Sequence, residues 1–256
     1  MRLQDQVILI TGSTTGIGAS MARLFVTEGA KVIVHGRDAA RGDALCKELG
    51  VERAAFVQGD LAQPEHPAQL AEAALKCFGR IDALVNNAAL TTRADLENTD
   101  VAFFDRIMAV NLRAPLMLVR ALLPALKASE GVVLNIGSIL AHCGQANLVA
   151  YSMSKGGLMT MTRNLSDALG SHRVRVNQFN VGWTLTENEY QVKIGDGFPA
   201  DWPDHLPPYA APSGRLLSPE DIAEAAVYWV SKASRPVSGS VLEIEQYPLI
   251  GRFTNS

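Results

Sequence analysis

Residues that would build a disulfide framework or ligate a metal are scarce in this sequence. Its 256 residues include three cysteines with no CxxC pair and five histidines without the spacing of metal ligands. We interpret such scattered cysteines as small buried hydrophobic side chains of a protein in a reducing compartment. We therefore expect neither disulfide bonds nor a metal site.

A strong excess of one charge and long apolar runs are also missing. The formal net charge is −3, so we expect no surface for nucleic acid and no polybasic membrane patch. No cationic and apolar leader precedes the first predicted strand, and no apolar run approaches membrane-spanning length. These absences predict a cytoplasmic protein with a small-molecule partner. Nearly half of the residues, 48%, are apolar, which allows a sizeable core.

Short β-branched runs alternate with amphipathic segments through most of the chain. This alternation predicts an α/β fold with one doubly wound parallel sheet, Rossmann-like, with helices on both faces. No linker or repeat interrupts the pattern, so residues 1–256 are predicted to form a single domain. The predicted strands are Val7–Thr11, Lys31–His35, Ala54–Gln58, Ala83–Asn86, Gly131–Ile136, Val174–Asn180 and Ser240–Ile244, and the predicted helices include Gly18–Glu28, Ala39–Leu49 and Ala68–Phe78.

Two stretches depart from the alternation. A helix predicted over Asp100–Lys127 contains Pro115 and Pro124, so a bend or an early stop is expected there. The segment Glu187–Arg215 is rich in proline, glycine, aromatic and acidic residues. Long loops of this kind in compact domains are often substrate-binding loops or lids, which is our interpretation, with disorder as the alternative.

The first predicted strand is followed by a glycine-rich turn that opens a helix. Glycines permit a close approach of the backbone to a ligand, and the N–H groups at the start of a helix favour a pyrophosphate. The spacing is GxxxGxG rather than GxGxxG, so the motif alone indicates only a turn. The candidate cofactor-binding residues in this turn are Gly12, Ser13, Thr14, Thr15, Gly16, Ile17 and Gly18.

The end of the second strand bears on the choice of cofactor. An acid that binds the adenosine ribose is expected there in NAD-dependent folds, but Gly36 takes its place and Arg37 follows. A guanidinium without an opposing acid suits a 2′-phosphate, which favours NADP(H) and leaves NAD(H) possible. Alternatively, Arg37 stacks on adenine or pairs with Asp38.

The most informative side chains are Ser138, Tyr151 and Lys155. Lys155 lies one helical turn after Tyr151, where its charge would favour the phenolate. A free phenol, with a pKa near ~10, is otherwise a poor base at neutral pH. Ser138 adds a hydroxyl donor for the oxygen of an alcohol or ketone. Tyrosine and lysine at this spacing also occur on ordinary helices, so the rest of the chain must support a catalytic interpretation.

Taken together, the motifs of this chain resemble those of the short-chain dehydrogenase/reductase family, in its compact single-domain branch. The resemblance runs from about residue 5 to about residue 245. The motifs that carry it, in order, are TGSTTGIG, Asp60-Leu61, Asn86-Asn87-Ala88, Asn111, Ser138 and Tyr151-Ser-Met-Ser-Lys155. The resemblance implies a Rossmann-like enzyme that transfers a hydride between a nicotinamide cofactor and a carbonyl or alcohol carbon.

Roles of individual residues follow from this resemblance. It implies that Ser138 holds the substrate oxygen, Tyr151 exchanges a proton with it, and Lys155 lowers the tyrosine pKa and binds the nicotinamide ribose. It implies that Asn111 supports a water next to Lys155. The cofactor contacts that it implies elsewhere involve Asp60, Leu61, Asn87, Ala88, Thr184 and Thr186. A homodimer or homotetramer is the oligomeric state that it suggests.

Three positions depart from the family pattern. Val181 replaces a usual proline, and Ala89 replaces a glycine, where an added methyl group could trim the pocket. The tail Glu243–Arg252 is not the short glycine-rich ending of relatives, and it could shape a pocket or a subunit contact, or lie over the surface.

Residues between Ser138 and Tyr151 must pass the active site, and three of them are polar. With Trp183, they are the candidate substrate-binding residues: His142, Gln145, Asn147 and Trp183. Their polarity favours a sugar, polyol or hydroxy acid; a hydrophobic ketone or 3-oxoacyl thioester is the alternative. A dinucleotide-binding regulator without turnover is the competing class. The presence of the whole proton-transfer set favours an enzyme.

Overall fold

The computed structural model describes residues 1–248, which form a seven-stranded parallel sheet covered by helices. The strands are β1 Val7–Ile10, β2 Lys31–Gly36, β3 Ala54–Gln58, β4 Ala83–Asn86, β5 Val132–Ser138, β6 Arg175–Val181 and β7 Val241–Ile244. The α-helices are α1 Gly16–Thr27, α2 Ala39–Leu49, α3 His66–Phe78, α4 Val101–Met108, α5 Ala114–Ser129, α6 Val149–Leu169, α7 Glu187–Gly195 and α8 Pro219–Val230. All seven predicted strands and the predicted α/β fold class are confirmed, with shifts of one or two residues at some strand ends.

The strand order is β3-β2-β1-β4-β5-β6-β7. Strands β2 and β3 extend the sheet to one side of β1 and the last four strands extend it to the other, so the strand order reverses between β1 and β4. Successive strand residues point to opposite faces and build two separate cores. In β1, Ile8 and Ile10 pack into the core that includes Phe25 and α8, whereas Val7 and Leu9 pack into the core that includes α5. Ligands of such sheets bind beyond the carboxyl ends of the strands, at the point of reversal.

The proline-containing helix continues past both prolines, so the expected early stop is wrong. A π-helical turn, Ala109–Arg113, joins α4 to α5, with Pro115 in the first turn of α5 and Pro124 inside it. The resulting run Val101–Ser129 is long and apolar enough to cross a membrane by length and composition, which the sequence analysis did not foresee. Half of its most apolar stretch is buried inside the molecule, and α5 packs on α3, as in a core helix of a globular fold.

The segment Glu187–Arg215 is ordered around a small core of its own. It begins with α7, and its Trp202 is buried against Ala211 and Leu216. Trp202 stacks on Trp183 with ring centroids 5.6 Å apart, which ties the segment to the end of β6. The C-terminal tail is described only as far as residue 248, so the remainder of Glu243–Arg252 lies outside the described residues.

Candidate active site

The glycine-rich turn lies where the sheet reverses, between the carboxyl ends of β1 and β4. Gly12 and Gly16 have positive φ angles of 62° and 54°, which glycine adopts without strain. Asn87, directly after β4, fixes the turn: its Nδ2 donates to the carbonyl oxygens of Thr11 and Gly12, both at 2.9 Å. The turn is therefore rigid before any ligand binds.

The start of α1 has the features of a pyrophosphate site. Thr15 is its N-cap but makes no capping hydrogen bond through its side chain, and no acidic residue occupies the first turn. A Cβ on Gly18 would approach Asn87 Nδ2 and the Gly12 carbonyl oxygen to 2.6 Å, so only glycine fits. Uncapped N–H groups beside a close-packed glycine turn suit the diphosphate of a dinucleotide.

At the adenosine end, Gly36 packs closely against Thr14 of the glycine turn. A Cβ at this position would lie 2.7 Å from Cγ2 of Thr14, so an acidic side chain at position 36 would require the Thr14 side chain to move. Arg37 is exposed, and Arg41, four residues on, lies 3.6 Å from Asp38 and 3.9 Å from Glu187. The structure thus brings a second guanidinium, Arg41, into the region that the sequence analysis assigned to Arg37 alone.

A histidine pair supports the glycine turn from below. The Nε2 atoms of His35 and His66 lie 3.1 Å apart, and Gly12 donates its N–H to Nδ1 of His35 at 3.5 Å. An accepting Nδ1 leaves His35 Nε2 as the donor to His66, so both rings are neutral in this arrangement. Burial lowers the pKa of His35 to about 3, which agrees with a neutral ring.

A cavity of about 490 Å³ opens beside the turn, at the ends of β4, β5 and β6. Its wall contains both predicted cofactor-binding residues and predicted catalytic or substrate-binding residues. The cofactor candidates on its wall are Ile17, Asn87, Tyr151, Lys155, Thr184 and Thr186, and the remaining predicted site residues on its wall are Ser138, Gln145 and Trp183.

Ser138, Tyr151 and Lys155 share this cavity, as the sequence predicted. Ser138 ends β5, while Tyr151 and Lys155 lie in the first two turns of α6, with Lys155 Nζ 5.6 Å from the centroid of the Tyr151 ring. Burial raises the pKa of Tyr151 to about 12; a hydrogen bond with Ser138 opposes this rise, and the charge of Glu189 adds to it. Burial of the phenol thus acts against the lowered pKa that the sequence analysis expected from Lys155.

Lys155 lies beside the Tyr151 ring, but its amine is directed at the backbone. Among residues 1–248 the buried amine has no carboxylate partner, and it donates to the carbonyl oxygen of Ile136 at 2.7 Å. Burial lowers the pKa of Lys155 to about 8. The amine thus keeps its charge at neutral pH but is directed at a backbone carbonyl of β5.

Asn111 lies in the π-helical turn, and its side chain acts as a clamp. Its Oδ1 accepts from the backbone N–H of Leu90 at 2.8 Å, and its Nδ2 donates to the Leu90 carbonyl oxygen and to Ser154 Oγ, both at 3.0 Å. Four residues later, Pro115 has no N–H, so the Asn111 carbonyl loses the donor that an α-helix would supply. Such π-turns frequently occur at functional sites.

Two of the four substrate candidates lie away from the cavity wall. His142 accepts from Asn180 Nδ2 at 3.0 Å and lies 3.3 Å from Glu243. Asn147 is partly buried, and its backbone carbonyl accepts from Ala94. Both residues hold the loop after β5 in place, whereas Gln145 and Trp183 face the cavity.

Charged side chains on the substrate side of the cavity were missed from the sequence. Arg93, in the loop between β4 and α4, lines the cavity with Glu189 and Lys193 of α7. Arg93 forms an ion pair with Asp196, just beyond α7. The acidic character of Glu187–Arg215 was the available signal, but nothing in the sequence pairs that segment with Arg93.

A parallel doubly wound sheet, a pyrophosphate turn and a tyrosine–lysine–serine cavity define a nicotinamide-dependent oxidoreductase. The family model described as short chain dehydrogenase matches residues 6–195. The chain belongs to the short-chain dehydrogenase/reductase family and is an NAD(P)-dependent oxidoreductase.

Three known proteins illustrate the range of its relatives. It is 34% identical to an L-fucose dehydrogenase of Mus musculus, covering 91% of this chain and 85% of that protein. It is 30% identical to a trans-4-hydroxycyclohexanecarboxylate dehydrogenase of Sinomonas cyclohexanicum, covering 95% and 93%. The crystal structure of a 3-ketoacyl-(acyl-carrier-protein) reductase from Brucella melitensis, complexed with NADH, is similar with a TM-score of 0.83 and 32% identity, covering 94% and 97%.

Proposed function

We propose that this enzyme interconverts a secondary alcohol and a ketone on a small polar substrate, namely a sugar, polyol or hydroxy acid. The observation that carries the proposal is the shared cavity of Ser138, Tyr151 and Lys155, whose substrate side is lined by charged and amide side chains. The L-fucose and hydroxycyclohexanecarboxylate dehydrogenases among the relatives support the same substrate range.

In this proposal each side chain of the trio has one task. Ser138 donates a hydrogen bond to the substrate oxygen, and Tyr151 exchanges a proton with that oxygen. Lys155 stabilises the phenolate by its charge and binds the ribose next to the nicotinamide. Asn111 holds Ser154, the neighbour of Lys155, and presents a backbone carbonyl to a water. The nicotinamide, when bound, supplies the hydride acceptor or donor.

Tyr151→Phe tests the reaction. The ring and its packing remain while the exchangeable proton is lost. Turnover should therefore fall by roughly 10³-fold, within the ~10²–10⁴-fold range typical of general acid–base groups. Dinucleotide affinity, measured by fluorescence titration, should change less than about threefold, a small effect on the affinity scale. Unchanged turnover in this variant would refute the assignment of Tyr151, whereas absence of turnover of sugars, polyols and simple alcohols by the wild type would favour a dinucleotide-binding regulator.

The other substrate reading, a 3-oxoacyl thioester or hydrophobic ketone, is represented by the reductase among the similar structures. A panel of sugars, polyols, hydroxy acids and 3-oxoacyl thioesters, followed by the absorbance of reduced nicotinamide, separates the two. Preferential turnover of the thioester would contradict the polar-substrate proposal and leave the trio's roles intact.

For the cofactor we propose a preference for NADP(H) over NAD(H). The 2′-phosphate would lie between Arg37 and Arg41, and Asp60 and Leu61 would border the adenine. The close contact between position 36 and Thr14 supports this preference, since a ribose-binding acid there would require the Thr14 side chain to move. Arg37→Ala should weaken NADP(H) binding at least 10-fold more than NAD(H) binding, as expected for a charge-assisted hydrogen bond. Equal losses for both cofactors would remove the argument.

We further propose that the protein is a homodimer or homotetramer formed through α5 and α6. Leu116 on α5 and Met153 on α6 are 39% and 54% exposed, so both helices carry apolar side chains on the surface. Sedimentation at several concentrations measures the oligomeric state, and a monomer throughout would contradict the proposal.

A further inference from the structure

Three charged side chains on the substrate side of the cavity, Arg93, Glu189 and Lys193, form with Asp196 just behind them what we call the charged cluster. Arg93 pairs with Asp196, and its guanidinium lies 3.8 Å from Oε1 of Glu189. Lys193 Nζ lies 3.9 Å from Asp196. Two cations and two anions make the cluster neutral overall, so it offers no net charge to attract an ionic substrate.

Both cations of the charged cluster are already engaged. Besides its contact with Asp196, Lys193 lies over the rings of Trp183 and Phe198, with Nζ 5.2 and 4.9 Å from the ring centroids. Its side chain is only 16% exposed. A substrate carboxylate would have to replace existing ion pairs to bind Arg93 or Lys193, at a cost in electrostatic and cation–π contacts.

Glu189 is the carboxylate of the cluster that lines the cavity, and one of its oxygens is open to a substrate. Its Oε1 accepts from Trp183 Nε1 at 2.9 Å, which fixes the direction of the carboxylate. Along residues 1–248, Oε2 receives no hydrogen bond from another side chain or from the backbone. The side chain lines the same cavity as Ser138 and Tyr151 and lies close enough for its charge to act on the phenol.

We propose that Glu189 is a specificity-determining residue that accepts a hydrogen bond from a second hydroxyl group of the substrate. The substrate class is then a polyhydroxy alcohol, a sugar or polyol, rather than a hydroxy acid. A neutral hydroxyl fits because a carboxylate would be repelled by Glu189, and an ammonium group would be repelled by Arg93 and Lys193. This inference rests on the proposed alcohol–ketone reaction and narrows its substrate.

Probes that share one carbon ring test the inference directly. The full-length enzyme is assayed for oxidation of cyclohexanol, the 1,2-, 1,3- and 1,4-cyclohexanediols, and 4-hydroxycyclohexanecarboxylate. At least one diol should have a kcat/KM about 10-fold or more above that of cyclohexanol, the range for a hydrogen bond to a charged group. Glu189→Ala should remove about 10- to 100-fold of that preference, and Glu189→Gln, which keeps an accepting oxygen, a smaller part.

The ratio of the diol rate to the cyclohexanol rate is the decisive readout, because a local distortion of the segment Glu187–Arg215 would lower both rates together. Asp204→Asn makes the same carboxylate-to-amide change at an exposed position of the same segment, and its ratio should match the wild type. A diol preference that survives Glu189→Ala overturns the inference, as does a wild-type kcat/KM for 4-hydroxycyclohexanecarboxylate that exceeds that of every diol. Both results leave the proposed reaction standing. Failure of the wild type to oxidise any of these probes overturns the inference, and failure on the wider panel overturns the reaction.

Discussion

Burial of the charged amine of Lys155 is predicted to lower the free energy of unfolding of this protein at neutral pH. The folded-state pKa of about 8 lies below the ordinary 10.5, and the side chain is only 2% exposed. At neutral pH the charged amine therefore costs roughly 3 kcal/mol, at ~1.4 kcal/mol per pKa unit. Lys155→Met removes the charge and also the bond to the Ile136 carbonyl, which contributes roughly 1 kcal/mol. The variant should be about 2 kcal/mol more stable than the wild type at pH 7.

The sign of the pH dependence gives the sharper test. Because the pKa of Lys155 is lowered by folding, the unfolded chain binds more protons between pH 8 and 10.5, so this lysine's contribution to stability rises with pH in that window. Urea unfolding at pH 7 and pH 9.5 should show the advantage of Lys155→Met shrinking by roughly 2 kcal/mol. The other titrating groups are common to both proteins and cancel in the difference. A gap that stays constant or widens with pH would show that burial does not destabilise the charged amine.

Two further substitutions test the electrostatics and the helix geometry. Glu189→Gln should move the limb of the kcat/KM–pH profile that reports Tyr151 to lower pH with cyclohexanol as substrate, because a nearby negative charge raises the phenol pKa; movement to higher pH would contradict that cause. Pro115→Ala restores an N–H that can bond to the Asn111 carbonyl, so kcat should fall while the free energy of unfolding stays equal or rises. Unchanged kcat in this variant would remove any role for that carbonyl.

The sheet was predictable because its strands are short apolar runs. Runs rich in β-branched residues between amphipathic segments are typical of buried parallel strands. Of the bend or early stop that two prolines predicted at Val101–Ser129, the early stop was wrong. Pro115 lies in the first turn of α5, where a missing N–H costs little, and a π-helical turn absorbs the mismatch before it. A sequence shows that a proline is present, but the position of the helix start decides its effect.

The trio at the cavity was predictable from spacing, whereas its electrostatics were not. Four residues on a helix bring Tyr151 and Lys155 to one face, yet the pKa of each depends on burial and on where the amine is directed. Likewise, His142 and Gln145 lie three residues apart in one loop, and only Gln145 faces the cavity. Contacts between distant segments, such as Arg93 with Asp196 or His35 with His66, leave no local pattern in the sequence.

The pKa shifts of Tyr151 and Lys155 bear on the direction of the reaction. A phenol with a pKa of about 12 is a proton donor at neutral pH, the role that ketone reduction requires of Tyr151. Alcohol oxidation instead requires a base, so the phenol pKa would have to fall by several units, at ~1.4 kcal/mol each. The described residues offer two sources for that change: an amine released from the Ile136 carbonyl towards the phenol, and a Glu189 charge offset by a bound hydroxyl. A hydroxyl bound to Glu189 would weaken its effect on Tyr151, so the residue proposed to select the substrate would also tune the pKa of the phenol proposed to react with it.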